Sequence, residues 1–326
     1  MSASRFVIST TGETLRIYWE LARIMVPVTI VTEVMSRAGL IDLVAPALAP
    51  VMGLFGLPPE LSLAWLTGML VGIWGAIAMI FALVPAESMS IADITVFSSL
   101  VLIAHGLPIE QKIIQKAGPG FAVTTTIRIA GAILYAMILH HLFAATGWQA
   151  EILNPIWIPV ADATDWMSFL TGLVETLIYM LVILLALSWG LEVLKLTGLM
   201  ALLMKLLAPA LRLAGIRGET GQFTTVGLFL GISYGGGLLI REARAGNLSP
   251  RQIFISCVFM GFAHSIIEDT LLVMALGADV LGVLVGRLVF AIAATALIAY
   301  LIRSVSDETF FTWMFRHGKR HRVAGL

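Results

Sequence analysis

Charge is scarce in this sequence. Lys, Arg, Asp and Glu make up 12% of its 326 residues, about half the quarter usual in soluble domains. With 59% hydrophobic residues and a mean hydropathy of +0.97, too little polar surface remains for a soluble fold, and the chain reads as an integral membrane protein. Cysteine is nearly absent: the lone Cys257 excludes an intramolecular disulfide and a multi-cysteine metal site. The opening stretch MSASRFVISTTGETLRIYWE lacks a compact basic region, a short apolar core and a cleavage site, so the first helix is expected to be retained. No nucleotide-binding signature occurs, which argues against ATP or GTP driving by this chain, and nothing suggests a nucleic-acid partner or a bound cofactor.

What the chain has is apolar runs, near 18–36, 61–84, 94–109, 121–146, 168–194, 222–240, 252–276 and 280–302. A crossing of the hydrocarbon core takes about 20 residues. The runs are arranged as one unit written twice. AGLIDLVAPALAPVMGLFGLPPE (38–60) aligns with TGLMALLMKLLAPALRLAGIRGE (197–219), an offset of 159 that takes Gly39 onto Gly198. Without a gap, the same offset takes Glu33 onto Glu192, Ser90 onto Ser249, His105 onto His264, Glu110 onto Asp269 and Arg128 onto Arg287. Small apolar residues match by chance in membrane helices. Histidine, arginine and acids recurring at one offset do not.

Loop charges then set the expected topology, because Lys and Arg favour the cytoplasmic side. The run 61–84 is flanked by Glu60, Glu87 and Asp93 with no basic residue, whereas 222–240 is flanked by Arg212, Arg217, Arg241, Arg244 and Arg251. Each of these runs therefore has both ends on one side, the first outside and the second inside, as a re-entrant hairpin does. Glycines in VGIWGAIA (71–78) and GISYGGGLL (231–239) supply the bends. With three crossings per unit the copies must be inverted. The expected fold is an all-α integral membrane protein of two inverted-topology repeats, each with three transmembrane helices, an interfacial helix (40–54, 199–213) and a hairpin. Its parts are a first repeat (1–146), an extracytoplasmic linker (147–166), a second repeat (167–304) and a basic cytoplasmic tail (305–326), in the cell inner membrane with both termini cytoplasmic.

This pattern, carried by TGMLVGIWGAIA with VGLFLGISYGGG and by LIAHGLPIEQ with GFAHSIIEDT, resembles the Gate ("nucleoside recognition") domain. That domain is shared by concentrative nucleoside transporters, the membrane part of ferrous iron transporters and spore-maturation type membrane proteins. The resemblance covers nearly the whole chain and implies hairpins that gate a transport-like site. It does not carry a cargo: the base- and ribose-contacting residues of nucleoside transporters have no clear match here, and the GTPase domain and membrane cysteines of iron transporters are missing.

The candidate site residues are His105, Glu110, His264, Glu268 and Asp269, ionisable groups inside apolar runs, each costing about 3 kcal/mol in a bilayer. Helical spacing puts His264 and Glu268 on one face, and Pro108 favours a break in the first copy. Symmetry would bring both histidines and the carboxylates into one cavity. Three uses stay open: proton coupling, binding of a metal cation, or neutralisation of Arg128 and Arg287, which serve as structural charge partners or as clamps for an anion. Ser233 and Tyr234 at the second hairpin tip are candidate cargo contacts. Thr124, Thr125 and Thr126 are expected to bond backward to helix carbonyls.

The leading expectation is a secondary transporter of a small molecule or ion. A non-transporting scaffold or regulatory subunit is the alternative, and self-association is left open. An enzyme is not expected: His264 and Glu268 lack the second histidine of a hydrolytic HExxH centre.

Overall fold

The computed structural model describes residues 3–40, 50–156, 158, 165–217, 220, 221, 224, 225, 227–229, 231, 232, 240, 243 and 248–315. Among them the chain is helical and forms no sheet. Helix α1 (Ala3–Arg37) is followed by a short pair, α2 (Leu61–Val71) and α3 (Ile73–Leu83), and then by a helix broken in two, α4 (Ile91–Ile103) and α5 (Leu107–Ala117). After α6 (Phe121–Thr146) come α7 (Trp166–Leu196), the amphipathic α8 (Leu199–Leu213), a second broken helix, α9 (Pro250–Ala263) and α10 (Glu268–Ala275), and then α11 (Arg287–Arg303), with short helical turns after it.

Among the described residues, five stretches are long and apolar enough to cross a membrane: Ile91–Ala117, Phe121–Thr146, Trp166–Gly190, Pro250–Ala275 and Leu281–Arg303. The chain is thus a multi-pass membrane protein. In their most apolar stretches 78% and 72% of the two broken helices is buried, against 39%, 24% and 33% for the others, so they form the centre and the rest the apolar outer shell. α1, expected to cross over 18–36, runs much further towards the N-terminus and is not among the five. Polar residues do not stop a helix, but Arg16, Glu20, Arg23 and Glu33 interrupt every long apolar window within it. The middle of the first interfacial stretch and the tip of the second hairpin lie outside the described residues.

α2 and α3 pack on each other as a pair whose arms, at 11 residues, are each about 16 Å long, half a bilayer core. The bend is Gly72, at φ 132° and ψ 176°, a conformation essentially reserved for glycine. Close approach of the arms needs a second small residue: a Cβ on Gly68 would stand 2.9 Å from that of Ala76.

Contacts at the helix ends fix the directions of the broken pair. Asp279, just after α10, donates its N–H to Thr95 at the start of α4, and Gln149 and Glu151 of the linker pair with Ala92 and Ile91 there. At the opposite end, Phe315 bridges to Pro119 after α5, while Arg251 at the start of α9 bonds the Ile302 and Val305 carbonyls. α4–α5 and α9–α10 therefore run in opposite directions.

Backbone conformation recurs at the offset of 159. Left-handed or otherwise positive φ occurs at Gly39 and Gly198, Gly56 and Gly215, Gly72 and Gly231, Gly106 and Ser265, Gly118 and Gly277, each pair 159 residues apart. Ser90 caps α4 and Ser249 caps α9 by the same side-chain bond to the residue three further on.

Candidate functional site

The site is built where the two central helices stop. Ile103 ends α4, Gly106 takes a left-handed conformation at φ 56° and ψ 24°, and Pro108 sits in the first turn of α5, where its missing N–H costs nothing. The second break has no proline. His264 is extended at ψ 163° and Ser265 is left-handed at φ 48°, which costs a residue with a Cβ about 1–2 kcal/mol. Gly106→Ala is accordingly expected to destabilise the protein by about 1–2 kcal/mol and Ser265→Gly to stabilise it by a similar or smaller amount; thermal melts in detergent check both.

A broken helix in a membrane frees backbone groups that water cannot serve. Each break is repaired twice over. The Gly106 N–H donates to the Gly68 carbonyl on α2 at 2.9 Å, and the Ile266 N–H to Leu228 at 2.8 Å. The freed carbonyls are taken by arginine. Arg128 donates Nε to Ile103 at 2.8 Å and Nη2 to His105 at 3.2 Å. Arg287 donates Nε to Phe262 and Nη2 to His264, both at 2.9 Å, and Nη2 also to Leu102. These cations sit at helix C-termini, where the backbone dipole favours positive charge. Arg128 reaches its place because Gly261 has no side chain: a Cβ there would meet the Arg128 stem at 2.9 Å.

Between the breaks the two histidines meet, ring centroids 4.8 Å apart and Nε2 to Nε2 at 3.2 Å. Each ring points its Nδ1 at the carbonyl one turn earlier in its own helix, His105 to Val101 at 2.8 Å and His264 to Met260 at 2.9 Å. Glu110 pairs with Arg128 at 2.6 Å and lies 3.4 Å from His264 Nε2 and 3.7 Å from His105 Nε2. Asp269 lies 3.7 Å from His105 Nε2. All six residues are buried.

The halves part company at the acids. Asp269 is one methylene shorter than Glu110, and no ion pair joins it to Arg287 among the described residues. Its Oδ2 and Arg287 Nη1 are buried without hydrogen-bond partners.

The site thus brings together His105, Glu110, His264 and Asp269, with Arg128 and Arg287 behind them. Glu268 stands apart: the break removes the helical spacing that would have put it on the face of His264, and it is half-buried at the start of α10. Ser233 and Tyr234 lie outside the described residues. Thr124 and Thr125 bond backward to Gly120 and Phe121 as expected. The sequence reading passed over Gln111 and Thr270, which directly follow Glu110 and Asp269 at equivalent positions. Both side chains are buried with polar atoms unpartnered.

One comparison bears on this arrangement. The chain is 24% identical over 286 residues, 86% of its length, to a Bacillus subtilis (strain 168) protein named uncharacterized membrane protein YvoD, covering 90% of that protein. No protein-family profile matches the chain, and no solved structure does. The relative's name agrees with the membrane character and goes no further.

Proposed function

We propose that this chain is a secondary transporter of a small polar solute or ion, working by alternating access between two inverted repeats. The paired short helices act as re-entrant gates. The His/carboxylate cluster is the substrate or coupling site, and both termini face the cytoplasm. The observation that carries this reading is the cluster itself: ionisable side chains of both halves converge at breaks in two antiparallel, buried helices. Discontinuous helices meeting near the midplane, related by a pseudo-two-fold axis, are the way many secondary transporters build their sites.

Stability alone gives no reason for such a cluster. Arg128 and Glu110 account for each other, and the arginines account for the freed carbonyls. Two histidines facing each other beside an Asp269 whose Oδ2 has no hydrogen-bond partner do neither, and ionisable groups at membrane depth are costly. The backbone bonds from the two breaks, Gly106 to Gly68 and Ile266 to Leu228, supply the link by which a moving gate would alter the site.

The test is flux in proteoliposomes loaded with a pH-sensitive dye and challenged with nucleosides, divalent metals and small organic anions. One class is expected to drive uptake or a pH change, reduced at least about tenfold in His264→Ala, as befits loss of roughly 1.4 kcal/mol or more at the site. No flux with any class, from either direction of loading, would sink the reading.

A further inference from the structure

The two histidines are held in a defined tautomer. A carbonyl oxygen can only accept, so the Nδ1 atoms that face Val101 and Met260 carry the ring hydrogens. In the neutral rings each Nε2 then presents a lone pair. These two lone pairs point at each other across 3.2 Å, and two acceptors with nothing between them repel. A cation between them, a proton or a metal ion, would remove that repulsion.

The distance says which kind. Nitrogens bound to one tetrahedral ion at about 2.0–2.1 Å lie about 3.3 Å from each other. A third group already faces the same point. Asp269 is nine-tenths buried, its Oδ2 has no hydrogen-bond partner, and it lies 3.7 Å from His105 Nε2. The ligand atoms of His105, His264 and Asp269 all fall within 4.8 Å of one another.

We infer that His105 Nε2, His264 Nε2 and the Asp269 carboxylate form one binding site for a divalent transition-metal ion of the zinc and cobalt class, at the meeting point of the two helix breaks. A shared proton would satisfy the two nitrogens and leave Asp269 Oδ2 bare; a metal ion serves all three groups. Two imidazoles and a carboxylate are a common set for zinc and its neighbours, whereas calcium and magnesium seek all-oxygen sites. The Nδ1–H bonds to backbone carbonyls are the outer support that ligating histidines usually have, since they fix the ring and the tautomer. Glu110 adds negative charge at 3.4 Å from His264 while held by Arg128, which offsets the nearby guanidinium. Arg287 is turned to the carbonyls of Leu102, Phe262 and His264. Three protein ligands leave a fourth position open, as an exchangeable ion requires.

This inference rests on the transport reading only for what the ion is for; the site itself stands on geometry. The experiment is equilibrium dialysis of the full-length protein in detergent, stripped with chelator and then titrated with zinc, with metal counted by mass spectrometry. Cobalt is substituted in parallel to read coordination from its visible bands. One zinc per chain and a tetrahedral cobalt spectrum are expected, with affinity lowered at least roughly 100-fold in His105→Ala and His264→Ala and 10-fold or more in Asp269→Asn. His141→Ala, an exposed histidine away from the cluster, should leave binding unchanged. Asp269→Asn keeps the side-chain volume, so the inference remains testable if a histidine variant fails to fold. Substoichiometric zinc in the folded protein, or binding indifferent to Asp269→Asn, would overturn it. Zinc bound one per chain without flux of any solute would sink transport and leave the metal site standing. Flux of an organic solute without metal binding would do the reverse.

Discussion

Replacing Arg128 by Met is expected to cost about 3–5 kcal/mol, the usual penalty for removing one member of a buried ion pair. The methionine keeps much of the stem that lies over Gly261, so the loss reports on the charge. Glu110 would be stranded beside two histidines, and the carbonyls of Ile103 and His105 would lose their donors. Arg287→Met is expected to be milder, about 1–3 kcal/mol, because Asp269 is not paired with it and only hydrogen bonds to carbonyls are lost. Thermal melts followed by size-exclusion in detergent compare the two. Adding Glu110→Gln to Arg128→Met should recover part of the loss by removing the stranded charge. Equal penalties, or no recovery, would mean that the ion pair does not hold the first break.

The second large effect is expected at Gly131. Its Cα faces the Phe262 ring where α6 crosses α9, and a side chain there would run into that ring. Gly131→Leu should destabilise by about 1–3 kcal/mol through overpacking, in spite of leucine's better helix propensity. The effect should reach the site, since the Phe262 carbonyl is an acceptor for Arg287. Combining it with Phe262→Ala vacates the space, and the double variant is expected to be more stable than the sum of the single losses predicts. Simple additivity would mean that the helices do not cross at these residues.

Much of the centre of the molecule was legible in the sequence, for a definite reason. Histidine, arginine and acid residues are rare in apolar segments, so their recurrence at one offset stood out, and the structure finds the backbone of Gly106 and Ser265, or of Gly118 and Gly277, matched at that same offset. The break at His105 was legible because Pro108 cannot continue a helix. Its counterpart at His264 was not, because nothing in SIIED forbids helix; the left-handed Ser265 is imposed by packing and by the bond from Ile266 to Leu228. For the same reason Glu268 was placed on the face of His264, a relation that exists only in an unbroken helix. The direct contact of the two histidines depends on how the two broken helices pack against each other, which a linear pattern does not carry. Two signals went unread. Gln111 and Thr270 are polar at equivalent positions, and the exchange of Glu110 for the shorter Asp269 is where the two ion-pair networks diverge. The extent of α1 was also missed, since polar residues before Tyr18 suit an exposed helix as well as a loop.

Alternating access requires that the buried cluster be reached in turn from both sides of the membrane. It is tested most directly by cysteine accessibility at Thr270, which is buried beside Asp269, in a Cys257→Ala background that removes the native thiol. Membrane-impermeant thiol reagents are applied to right-side-out and to inside-out vesicles carrying Thr270→Cys. Labelling is expected from both faces, with zinc shifting the ratio between them. Labelling from one face only under every condition, or from neither, would contradict it.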